Sequence, residues 1–93
     1  MDSPDAREPQ TLLTFPCVFP MKVMGRRADG FAQVVCDVVR RHAADFNPSS
    51  IEMRSSKNAR YLSLTVTINA RSREQLDALY SELSRHPMVM MVL

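Results

Sequence analysis

The chain has 93 residues, 45% of them apolar, with seven Met, no Trp and a formal net charge of +2. That length suits one two-layer domain and is too short for two, and the apolar content excludes a chain disordered over most of its length. The charge falls short of the basic bias of a dedicated nucleic-acid binder. Two cysteines, Cys17 and Cys36, are too few for a disulfide scaffold and have no ligand-type spacing to His42 or His86.

Met1 to Gln10 is polar, carries two prolines and reads as a disordered tail ahead of a single domain over residues 11–93. Its acids and prolines stand where a signal peptide needs a basic start and an apolar run, and no apolar stretch approaches the roughly 20 residues of a membrane span. A cytoplasmic location without membrane contact is therefore expected. Thr11 to Pro16 is an apolar lead-in, kept extended by Pro16 and Pro20.

Val18 to Gly25 reads as the first strand, with Phe19, Met21 and Val23 alternating with Pro20, Lys22 and Met24. Gly25 is expected to end it, a charged loop follows from Arg26 to Gly30, and Asp29 is the expected N-cap. Phe31 to Ala44 reads as a helix. Phe31, Val34, Val35, Val38, Val39 and His42 make one stripe of helical period. Valines are poor helix formers, so packing rather than propensity must hold this helix.

Ile51 to Ser56 alternates weakly. Tyr61 to Ala70 alternates strongly, with Leu62, Leu64, Val66 and Ile68 on one face and Tyr61, Ser63, Thr65, Thr67 and Asn69 on the other. These two strands form a hairpin. Ser72 and Gln75 match a capping box, and Leu76, Leu79, Tyr80 and Leu83 form the buried stripe of a second helix that Pro87 stops. Met88 to Leu93 reads as a last, wholly apolar strand.

The order βαββαβ predicts an α+β, ferredoxin-like sandwich: an antiparallel four-stranded sheet of spatial order 4-1-3-2 with both helices on one face. The other face is left open. It carries Tyr61, Ser63, Thr65 and Thr67 beside Lys22 and Met24, and these six are the candidate ligand- or partner-binding residues. The fourth strand adds either Met88, Met90 and Val92 or Val89, Met91 and Leu93. Half the open face is thus polar and half apolar. An apolar edge strand calls for cover, by a second copy of the chain, by a partner protein or by the lead-in at Thr11 to Pro16.

No catalytic residue, metal ligand or cofactor site is assigned. An RNA-recognition motif shares the topology but stacks bases on several sheet aromatics, where this face offers only Tyr61, so nucleic acid is not an expected partner. The loop from Gly25 to Gly30, with Arg26 and Arg27 ahead of a helix N-terminus, suits an anion, and a small phosphate- or acyl-phosphate-handling enzyme is the alternative reading. Two solvated arginines are the plainer account. His42 reads as a packed structural histidine with no evident carboxylate partner. Arg40, Arg41, Arg71 and Arg73 could join Arg26 and Arg27 in a basic patch, but solvated charges again suffice.

Several stretches carry a resemblance: Phe15-Pro16 to Phe19, Lys22-Val23-Met24-Gly25, the Val-Val and Arg-His-Ala residues between Val34 and Ala43, Ser55-Ser56-Lys57, Tyr61 with Ser63, and Thr67-Ile68-Asn69-Ala70. Glu74-Gln75, Leu79-Tyr80, Glu82-Leu83 and Met91-Val92-Leu93 follow in order. Over about residues 12–93 the chain resembles the YbeD-like family of small bacterial proteins. The resemblance implies a ferredoxin-like fold similar to ACT-type regulatory domains, which bind small metabolites, and a genetic association with lipoate attachment. It carries over no catalytic residue. Together with the divided open face, it points to a non-catalytic regulatory domain: the apolar half expects a homodimer or a protein partner, and the ACT-type resemblance a small metabolite. One departure is the hairpin tip, where Asn58-Ala59-Arg60 replaces the family's Gly-Asn turn and is one residue longer.

Overall fold

The structure, a computed structural model, describes residues 14–93. The elements run β1 (Cys17–Arg26), α1 (Phe31–His42), a 3-10 turn at Pro48–Ser50, β2 (Glu52–Ser55), β3 (Tyr61–Ala70), α2 (Arg73–Arg85) and β4 (Val89–Val92). They form one sheet of order β2-β3-β1-β4, with every neighbouring pair antiparallel. This is the βαββαβ ferredoxin-like architecture, and the sheet order is the one read from the sequence. The tail, with Thr11 to Leu13 of the lead-in, lies outside the described residues; Phe15 is half-buried against the core.

The core lies between the sheet and the two helices. Val23, Leu64, Val66 and Ile68 of the central strands meet Phe31, Val35, Val38 and Val39 of α1 and Leu76, Leu79 and Leu83 of α2. Each such side chain contributes about 1.5–3 kcal/mol on leaving water, and this is what keeps the valine-rich α1 helical. Three stripe residues depart from the expected pattern. Val34 and His42 are only half-buried, and Tyr80 is 51% exposed, lining a groove with Phe19 and Met21.

The sheet's central pair, β1 and β3, is in register over ten positions, from Cys17 opposite Ala70 to Arg26 opposite Tyr61. Gly25 does not end β1. It is paired and buried, and the strand continues to Arg26. A Cβ at Gly25 would run into the Met88 carbonyl oxygen and, at 2.5 Å, the Phe31 ring, so only glycine lets β1 pass beneath α1 there. Asp29 does not cap α1 either. The chain enters the helix through Gly30 at φ 83°, a left-handed conformation, and no side chain caps the start.

At α2, Ser72 Oγ accepts the Gln75 backbone N–H at 3.1 Å, as expected of an N-cap. The Gln75 side chain does not close the box onto Ser72. Its carbonyl accepts the Arg71 N–H at 2.5 Å, and its amide donates to the His42 carbonyl at 2.7 Å. Gln75 thereby ties the start of α2 to the end of α1. A second tie lies beside it, where Glu82 receives His42 Nε2 at 2.6 Å and Arg41. His42 therefore has the carboxylate partner that its position in the sequence did not reveal, since Glu82 is 40 residues away.

Candidate functional site

The open face is built by the alternate residues of each strand, because successive side chains point to opposite sides of a sheet. Register sets the rows. Thr67 lies opposite Pro20, Thr65 opposite Lys22, Ser63 opposite Met24 and Tyr61 opposite Arg26. From β2, Glu52 joins the Thr65 row and Arg54 the Ser63 row. The six residues read from the sequence therefore stand together on β1 and β3. Lys22, Thr67 and Tyr61 are exposed; Met24, Ser63 and Thr65 are half-buried. Glu52 and Arg54 complete the polar half, and sequence reasoning missed them because β2 is short and weakly alternating.

The apolar half differs from both alternations considered for the fourth strand. The register slips between Met24 and Gly25: Met24 lies opposite Met91 and Gly25 opposite Val89, so Met90 is the extra residue of a bulge. Val89 and Val92 are buried, whereas Met90 and Met91 are both exposed, by 58% and 50%. Beyond them Leu93 exchanges both backbone hydrogen bonds with Lys22, at 3.1 and 2.8 Å, and leaves its side chain 66% exposed. Strict alternation along one strand cannot reveal a bulge, and β4 departs from both patterns for that reason.

β4 covers only the second half of β1. Beside the uncovered half a groove of about 500 Å³ opens between β1 and α2, lined by Phe19, Met21, Leu76, Tyr80, Val92 and Leu93. It is mostly apolar, with Arg73 and Asp77 also in its lining, and it reaches Leu93 of the exposed ridge. The stretches Lys22–Gly25, Ser55–Lys57, Tyr61 with Ser63, and Met91–Leu93, all of which carry the family resemblance, meet around the open face through the same register.

At the end of the sheet away from Cys17, the β2–β3 hairpin meets the end of β1. Ser56 Oγ accepts the N–H groups of Arg60 at 3.2 Å and Tyr61 at 3.1 Å, and the Arg27 N–H donates to the Arg60 carbonyl at 2.8 Å. Ala59, at the tip, has φ 59°, in the left-handed region. The basic patch grouped from the sequence does not assemble. Arg41 pairs with Glu82, Arg71 with Asp45 at 3.8 Å and Arg73 with Asp77 at 3.6 Å, away from Arg26 and Arg27.

Cys17 and Cys36 are free and half-buried, and burial, then the neighbouring Asp37, pushes the Cys36 thiol up, away from the reactive thiolate. Among the described residues no three His, Cys, Asp or Glu side chains group as metal ligands, and no helix is long and apolar enough to cross a membrane.

Sheet order and helix placement define an ACT-like fold of the ferredoxin type. The solution structure of protein HP0495 from H. pylori superposes with a TM-score of 0.75, at 20% identity, over 100% of this chain and 94% of that one. The ACT domain from GTP pyrophosphokinase of Chlorobium tepidum gives 0.64 at 16% identity, over 83% of each chain. Residues 10–93 match the family described as protein of unknown function, DUF493. A UPF0250 protein of Nitrosomonas europaea is 51% identical over 84 residues, covering 90% of this chain and 97% of its own. One of Leptothrix cholodnii is 48% identical over 89 residues, 96% and 98% of the two chains. The chain belongs to this bacterial DUF493, or UPF0250, family, and the YbeD-like resemblance in its sequence is the mark of that membership.

Proposed function

We propose that this protein is a non-catalytic regulatory domain of the cytoplasm that self-associates through the apolar half of its open sheet face. The observation that carries the reading is the divided face: Met90, Met91 and Leu93 stand exposed along one edge, beside a row of hydroxyls and Lys22. A second copy presents the same apolar ridge, so a two-fold contact buries both ridges at once and closes without leaving an open edge. The polar row of Lys22, Thr65 and Thr67 then remains for a small metabolite, as in the ACT-type domains that the fold resembles. Lipoate metabolism, to which the YbeD-like resemblance links such proteins, is the setting the proposal takes.

Sedimentation equilibrium tests the contact. The expected result is a dimer whose affinity falls at least about tenfold in Met91→Lys, since burying an unpaired ammonium at an interface is costly. A chain that stays monomeric at high concentration refutes self-association. A dimer untouched by Met91→Lys refutes the face chosen.

A further inference from the structure

Away from the apolar ridge, the hollow between the end of β1 and the hairpin tip gathers positive charge. It has a volume of about 450 Å³ and is lined by Arg26, Arg27, Ala59, Arg60 and Tyr61. Arg54 lines the adjoining hollow that shares Tyr61, and Lys57 lies in the connection from β2 to β3. We propose that this hollow binds a small, multiply charged anion of the phosphate type.

Three observations support the assignment. First, the three lining guanidiniums have no ion-pair partner among the described residues, whereas Arg41, Arg71 and Arg73 each have a carboxylate. Asp29, two residues beyond Arg27, makes no ion pair with them. Second, the backbone holds these like charges together. The Arg27 N–H to Arg60 carbonyl bond and the double acceptance by Ser56 Oγ prolong the ladder to the tip. Cationic side chains brought to one corner repel less once an anion joins them, and the planar guanidinium matches phosphate oxygens two at a time. Third, Ala59 holds the tip in a strained left-handed conformation that places Arg60 directly after it, and such strain concentrates at binding sites.

The size of the patch favours a small anion over a polynucleotide. The arginines concentrate at one corner, and beyond it the open face carries Lys22 in one row with Glu52 and then Met24, Met91 and Leu93. A strand of nucleic acid needs a basic track and stacking aromatics, and this corner offers Tyr61 alone.

The test is a titration of the full-length 15N-labelled chain with sodium pyrophosphate at about 50 mM salt, followed through amide shifts. Saturable one-to-one shifts confined to Arg26, Arg27 and the hairpin tip are expected. Arg26→Ala and Arg60→Ala should each weaken binding about tenfold, and Arg40→Ala, on α1, should not. All three positions are exposed, so each variant keeps the native amide spectrum. Failure to saturate by about 10 mM, or shifts spread equally over Arg40, Arg71 and Arg85, overturns the site. Tighter, steeply salt-dependent binding of a single-stranded oligonucleotide at the same residues also overturns it, in favour of a nucleic-acid surface.

Discussion

Gly25 and Ala59 are the two residues whose backbone decides most. Gly25 lets β1 slide beneath Phe31 and the Met88 carbonyl, and a backbone oxygen cannot step aside as a flexible side chain can. Gly25→Ala should therefore cost about 3 kcal/mol in urea unfolding, at the upper end of overpacking effects. Ala59 is the opposite case. It holds φ 59° with a Cβ that disfavours it, so Ala59→Gly should raise stability by about 1 kcal/mol in the same assay. Neither effect announces itself in composition. A glycine after an apolar run reads equally as a strand end or as a close approach, and Gly25 proved to be the second.

At the scale of elements, the two helices are joined by polar ties as well as by the core. Gln75 bridges the Arg71 N–H and the His42 carbonyl, and Glu82 gathers His42 and Arg41. The hydrogen bond from His42, and then that from Arg41, hold the Glu82 carboxyl below the usual carboxylate range. A carboxyl depressed in the folded state adds stability above its unfolded value, about 4.3, and loses it as pH falls through the folded one. Glu82→Gln should thus melt at a lower temperature than the parent at neutral pH. The gap should close as pH falls below about 4, and a gap constant with pH would show that the ionised carboxylate is not what counts. The helices themselves were plain in the sequence, because apolar residues recurring at helical spacing line up on one face of a helix and scatter over both faces of a strand. Their polar ties were hidden, since they join residues 33 and 40 positions apart.

For the whole molecule the decisive feature is asymmetry. Helices cover one face of the sheet, and the other is divided into an apolar edge, a hydroxyl row and a cationic corner. If the apolar edge is a dimer contact, folding and association are linked. The melting temperature should then rise with protein concentration in the parent chain and lose that dependence in Met91→Lys, as differential scanning calorimetry would show. The cationic corner should be indifferent to that substitution, because its residues lie on β1 and the hairpin rather than on β4.

The sequence by itself determined the element order, the sheet order and which face of each central strand is buried. Local periodicity and the handedness of strand-helix-strand connections leave almost no other arrangement for βαββαβ. It also brought Lys22, Met24, Tyr61, Ser63, Thr65 and Thr67 onto one surface, since period-two alternation on two paired strands is enough. Only the tertiary structure decided how that surface is divided. The bulge that exposes Met90 and Met91 together depends on the register between β4 and β1, and the meeting of Arg60 with Arg26 and Arg27 depends on the hairpin closing against the end of β1. Both are pairings between distant segments, and a pattern read along one strand carries no information about its partner's offset.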